Sequence, residues 1–121
     1  MKSVIHALLI SAALLFSSAI SAHHSFAIYD FDTQIPFEGV IETIKFRNPH
    51  IAMTLRHIRK DGSTEIITFP EGAPANMLAR AGLRPNMVKP GTKITAVGSP
   101  SKKDPHRFFL RKIILENGKE Y

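Results

Sequence analysis

The chain contains no cysteine and no tryptophan. Without cysteine no disulfide can staple the fold, and thiolate nucleophiles and thiolate-ligated metal clusters are excluded. Acidic residues are scarce as well: 10 Asp and Glu stand against 16 Lys and Arg, a formal net charge of +6 at pH 7. Such an excess attracts anionic surfaces, whether lipid, polysaccharide or nucleic acid, and by itself singles out none of them. No Gly-x-Ser-x-Gly elbow, phosphate-cradling glycine loop or dinucleotide fingerprint occurs, so the usual signatures of hydrolases, NTPases and dehydrogenases are missing. The close carboxylate pairs Asp30/Asp32 and Glu38/Glu42 lie in extended segments and read as solvated groups rather than as an acid–base pair. A non-enzymatic role is the expectation.

Long apolar runs are absent beyond residue 16. The one that exists, "VIHALLISAALLF" at 4–16, follows Lys2 and precedes the small residues of "SSAISA". That order of a positive start, an apolar core and small residues is the pattern of a cleaved signal peptide. The run is shorter than the ~20 residues of a spanning helix, and the next Lys or Arg after Lys2 is Lys45. Residues 1–22 are therefore expected to be removed, with the cut after Ser21 or after Ala22, and the protein to be periplasmic or secreted with no membrane span afterwards. Removal leaves roughly 100 residues, enough for one small domain.

The remaining chain divides into an N-terminal lead-in segment at 23–36 and a domain at 37–118. "FEGVIETIKF" (37–46) is rich in β-branched and aromatic residues, with Gly39 marking a bulge or sharp coil. "RNPH" (47–50) is a turn, because the residue before proline leaves the helical region and the ladder breaks. "IAMTLRHI" (51–58) alternates, with Ile51, Met53 and Leu55 on one face. Asp61-Gly62 then predicts a hairpin into "TEIITFP" (64–70). The period changes at 73–82, where Met77, Leu78 and Ala81 recur at helical spacing between Pro74 and a terminating Gly82. A loop at 83–91, a fourth strand at 92–100 and a fifth at 107–118 complete the order β-β-β-α-β-β. A mainly β chain of this size and order fits a small five-stranded OB-like barrel with one short helix. Ile51, Met53, Leu55, Val40, Ile44, Val97 and Ile113 are its expected core, with Phe108 and Phe109 also inside.

Single-strand nucleic-acid binding, common among such barrels, needs aromatic platforms interleaved with basic residues. The second strand has no aromatic residue on its outer face and the third only Phe69, so nucleic acid is not an expected partner.

Several stretches together resemble an uncharacterised family of small exported bacterial proteins with an OB-like barrel, domain of unknown function 6152. They are His23-His24-Ser25-Phe26 at the mature start, Asn48-Pro49-His50 after the first strand and Lys89-Pro90-Gly91 before the fourth. The resemblance covers residues 22–115 and implies fold and compartment, with no activity to carry over. The chain departs from it at the hairpin, where Arg56, His57 and Arg59 replace an expected acidic strand end.

Of six histidines, His57 and His106 read as surface residues, and His50 could simply bond its turn. His23 and His24 differ because cleavage places them beside a free α-amine, whose pKa of ~7.7–8.0 lets a metal displace its proton. A cut after Ala22 makes His23 the first residue. Its amine and ring then chelate one ion, and His50, from a turn at the barrel rim, supplies the further imidazole of a T-shaped histidine brace. A cut after Ser21 starts the chain Ala22-His23-His24, in which amine, two amides and the third-place imidazole wrap a square plane. Both arrangements favour Cu(II), with Ni(II) and Zn(II) as lesser candidates. The candidate metal ligands are thus His23, His24 and His50, and Cu(II) is the candidate cofactor of an exported binding protein. The alternative is a metal-free interaction module whose Arg- and Lys-bearing rim holds an anionic ligand or an envelope protein partner.

The leader reading is checked by intact mass. Protein recovered from the cell envelope should lack residues 1–21 or 1–22, and a full-length mass would remove both the compartment and the special amine.

Overall fold

The computed structural model describes residues 26–121. Five strands form a closed barrel: β1 (Ile35–Lys45), β2 (Ala52–Ile58), β3 (Thr64–Glu71), β4 (Lys93–Pro100) and β5 (Arg107–Leu115). A short helix α1 (Ala75–Arg80) and a 3-10 turn (Pro85–Met87) link β3 to β4. The strands run β1-β2-β3-β5-β4 around the barrel, and β4 closes onto β1. All neighbours are antiparallel except β3 and β5, which meet in parallel at Thr68–Arg107 and Glu71–Phe109. The expected mainly β, five-stranded, OB-like architecture is therefore present, with its helix in the expected place.

β1 is long because it serves two neighbours. Ile35–Val40 pair with β4, and Gly39–Lys45 pair with β2. Where the two ladders overlap, a Cβ on Gly39 would collide with the Arg56 carbonyl, so glycine permits the close approach of β2. The bulge anticipated at Gly39 sits instead at Glu42, the extra residue between the pairs Ile41–Leu55 and Thr43–Thr54. One extra residue inverts side-chain parity beyond it. Phe37 and Ile41 point inward before it, and Ile44 and Phe46 pack against the core after it. Val40 is consequently outside the core, correcting the sequence expectation, while Ile44 joins its edge.

A second bulge, at Arg111 between Val97–Lys112 and Gly98–Leu110, does the same to β5. Phe108, Leu110 and Ile113 are buried. Val97 is only half-buried, because Ile94, Ala96 and Gly98 hold the inner row of β4.

Ile51, Met53 and Leu55 are buried as their alternation predicts. With them lies an aromatic centre of Phe37, Phe69 and Phe108, the closest pair, Phe37 and Phe108, having ring centroids 4.6 Å apart. Gly98 makes room for it: a Cβ there would lie 2.7 Å from the Phe108 Cβ and 2.8 Å from the Phe69 ring.

The helix ends at Gly82, φ +100°, where the Leu83 N–H donates to the Leu78 carbonyl at 3.0 Å, a closure that left-handed glycine makes accessible. β5 ends at Leu115, short of the expected Asn117-Gly118, and the chain then turns back so that Tyr121 and Ile113 exchange two backbone hydrogen bonds.

Leu55 is fully enclosed. Leu55→Ala should destabilise the protein by ~2–5 kcal/mol in denaturant unfolding. A loss below about 0.5 kcal/mol, the range of surface substitutions, would place that face of β2 outside the core.

Candidate functional site

The loop between β1 and β2 carries Arg47, Asn48, Pro49 and His50, and its position follows from the needs of α1. A helix start leaves N–H groups without partners, and Pro74, preceding α1, offers no side-chain acceptor. The loop supplies two: the Arg47 carbonyl accepts from Ala75 N–H at 3.3 Å, and Asn48 Oδ1 accepts from Asn76 N–H at 3.1 Å. Ile51 N–H donates to the Ala73 carbonyl at 3.1 Å. His50 Nδ1 lies 2.8 Å from the Gly72 carbonyl. Four contacts thus stitch this loop to the β3–α1 connection.

The last contact sets the chemistry of His50. A carbonyl can only accept, so Nδ1 carries the proton and the neutral ring keeps its lone pair on Nε2. Metal-ligating histidines are commonly held this way, one nitrogen bonded to a carbonyl and the other turned to the ion.

The lead-in segment runs to this ring. The Phe26 side chain meets His50 edge-on, ring centroids 6.4 Å apart. Phe26 belongs to an aromatic layer on the outside of β5 with Tyr29, Phe31 and Phe109, whose rings stand 5.3–6.2 Å apart. The Arg111 guanidinium lies 5.3 Å from the Phe31 ring centre, a cation–π contact. Tyr29 is buried, forms a bridge to Ser101, and its hydroxyl accepts from Arg107 Nε at 3.3 Å. That bond is the leading cause holding the Arg107 guanidinium above its usual range.

Asp30 anchors the bend that follows. Its N–H donates to the Pro100 carbonyl at 2.9 Å, and its carboxylate accepts from Thr33 Oγ1 at 2.7 Å and Asp32 N–H at 3.2 Å. The Thr33 hydroxyl, more than any other neighbour, holds the Asp30 carboxyl below the usual range.

Phe109 is therefore outside the barrel, beneath the lead-in segment, and not in the core with Phe108. The signal was available: adjacent residues on a strand face opposite ways, and Phe26, Tyr29 and Phe31 are the rings that cover the outward one.

The other candidates have structural work. His57 is half-buried, its Nδ1–H donating to the Glu38 carbonyl at 2.7 Å and its ring edge-on to Phe37. His106 is exposed, 3.4 Å from Glu65, which also accepts two hydrogen bonds from Arg59. Glu42 pairs with Arg56 at 2.7 Å. Of the three proposed metal ligands, His50 is placed as described, and His23 and His24 lie outside the described residues. Among the described residues no group of three or more His, Asp or Glu is gathered to hold an ion, and no helix is long and apolar enough to cross a membrane.

A family model described as "Family of unknown function (DUF6152)" matches residues 10–108. No curated protein and no solved structure matches the chain.

The hold on the lead-in segment has a pH signature. Because the folded carboxyl of Asp30 titrates below its ordinary value, its contribution is fully present above the unfolded pKa of ~4 and is lost as pH falls through the lowered folded value. An NMR titration should find the Asp30 carboxyl below the aspartate norm and Thr33→Val should raise it. An unchanged value in Thr33→Val would show that the hydroxyl does not hold it.

Proposed function

The chain belongs to the DUF6152 family of unknown function, and from its own residues we propose that it is an exported, periplasmic copper-binding protein whose processed N-terminus and His50 share one Cu(II). The observation that carries this reading is the setting of His50: its Nδ1 lies 2.8 Å from the Gly72 carbonyl, which leaves Nε2 as the ring nitrogen available to an ion, and Phe26 of the lead-in segment packs against it in a T-shaped contact.

The rest of the reading is reach and ligand chemistry. His23 is three residues from Phe26, and each residue spans at most ~3.3–3.6 Å, so a new N-terminus at His23 stays within about 11 Å of the Phe26 Cα. The freed amine and the His23 ring chelate together, and the Nε2 of His50 is the imidazole the barrel offers. His24 is the alternative imidazole, and becomes the essential one if the cut leaves Ala22 in front. An all-nitrogen, tetragonal ligand set suits Cu(II), which also heads the affinity order of divalent first-row ions. The loop that carries His50 is stitched to α1 and to Gly72 before any ion arrives, so little ordering cost falls on this one ligand. The ion serves here as cargo or as a tie between the chain start and the barrel, and no reaction step is assigned to it.

Titration of authentic, processed protein with Cu(II) should give one ion per chain, weakening as pH falls because protons compete for the amine and imidazole lone pairs. In the brace, His50→Ala should lower affinity by at least about tenfold, the lower bound seen even for residues that only support a ligand, and unfolding the barrel should do the same. In the local wrap, His24→Ala should abolish binding, with His50→Ala and denaturant changing little. The decisive control is a protein with one additional residue before the authentic start. Equal copper uptake by that protein and the authentic one would remove the amine from the site and overturn the proposal.

A further inference from the structure

The bulge at Glu42 does more than repair the core. Beyond it the odd-numbered residues of β1 face outward, so Thr43, Lys45 and, past the strand end, Arg47 follow one another along the outer surface. Thr43 is paired with Thr54 on β2, and Thr54 with Thr68 on β3. Three threonines from three strands therefore stand in one cross-strand row, with Thr43 Oγ1 and Thr54 Oγ1 hydrogen-bonded at 2.7 Å. They floor a groove of about 230 Å³ bounded by Lys45, Arg47 and Pro70.

The charge of this groove is one-sided. No carboxylate lines it, and Glu42, the nearest acid in sequence, is turned to Arg56. Among the described residues no ion pair engages Lys45 or Arg47. The larger groove beside the β2–β3 hairpin, about 550 Å³, also has lysines, Lys60 and Lys93, but Glu38 shares its lining. The threonine groove has no aromatic platform for a base apart from the buried Phe69, which disfavours single-stranded nucleic acid. Its groups are instead those that recognise a compact oxyanion: a planar guanidinium fork, an ammonium and hydroxyl donors. The backbone of Arg47 is anchored, since its carbonyl accepts from the start of α1, and its side chain is exposed beside the groove.

We infer that the outer face of β1–β2–β3 is a binding site for a phosphate group, held between Lys45 and Arg47 over the Thr43–Thr54–Thr68 row. The phosphate is either free or the headgroup of an anionic phospholipid, and the recognising chemistry is the same for both. This site is separate from the copper reading and stands without it.

The test uses the processed protein and two probes: inorganic phosphate, followed by chemical-shift perturbation of the Thr43, Thr54 and Thr68 amides, and phosphatidylglycerol vesicles, followed by co-sedimentation against phosphatidylcholine vesicles. Lys45→Gln/Arg47→Gln should weaken binding by at least about tenfold, the equivalent of losing one charge-assisted contact of ~1.4 kcal/mol. Lys89→Gln/Lys103→Gln removes the same charge from exposed positions outside the groove and should weaken it by less than about twofold, since surface charges there act only through the screened field. Thr54→Val should weaken binding and Thr54→Ser should retain it, with circular dichroism confirming the fold of each variant. Phosphate binding at the threonine row identifies a free ligand, and vesicle binding alone identifies a lipid headgroup. Equal losses in the two double variants, or no binding of either probe, would overturn the site.

Discussion

A strand has a side-chain period of two, and the barrel can close only because β1 breaks that period once. β1 must present Phe37 to the interior while pairing with β4, and then, while pairing with β2, Ile41 before the bulge and Ile44 after it. A regular strand would have put Thr43 and Lys45 against the core and Ile44 and Phe46 in water. Burying an ammonium without a partner costs several kcal/mol, far more than the one or two ladder bonds lost at a bulge. The extra residue at Glu42 is therefore the favourable solution. β5 meets the same requirement with Arg111, whose outward guanidinium then covers Phe31.

Around that frame, the connection between β1 and β2 is held by bonds that each satisfy a backbone group elsewhere. The start of α1 takes its missing acceptors from Arg47 and Asn48, and the Gly72 carbonyl takes its donor from His50. The imidazole is consequently fixed by the same network that begins the helix, and its free nitrogen is a by-product of where Gly72 sits. Gly72 is itself packed tightly, a Cβ there lying 3.1 Å from Leu110 and 3.2 Å from Ile51, so the carbonyl that orients His50 belongs to the core's edge rather than to a loose loop.

The strand order, the helix and the inward face of β2 were legible because each rests on a local pattern: alternation at 51–55, Asp61-Gly62, Pro74 and Gly82. Val97 faces outward by the plain alternation of β4, whose inner row Ile94 and Ala96 already set, whereas the outward turn of Val40 has a different origin. A bulge adds a residue without any obligatory sequence mark, and Gly39, the visible candidate, serves a close approach instead. Phe109 was misplaced for a simpler reason, since two adjacent strand residues cannot both face inward. His50 could be singled out by type, but its tautomer could not, because the partner carbonyl lies 22 residues away. The outward threonine row was invisible for the same cause as Val40: its alignment across three strands depends on the slip at Glu42.

The aromatic layer on the outer wall has a consequence for the order in which the chain becomes native. Phe26, Tyr29 and Phe31 are among the earliest described residues to be synthesised, yet the surface they cover, Phe109 with Ser101 and Arg107, belongs to nearly the last. Contacts of such sequence separation carry the loop-closure entropy of the whole intervening chain. Until β5 is in place, these rings have no wall to rest on. A chain made only as far as β4 therefore leaves these rings without the wall that covers them.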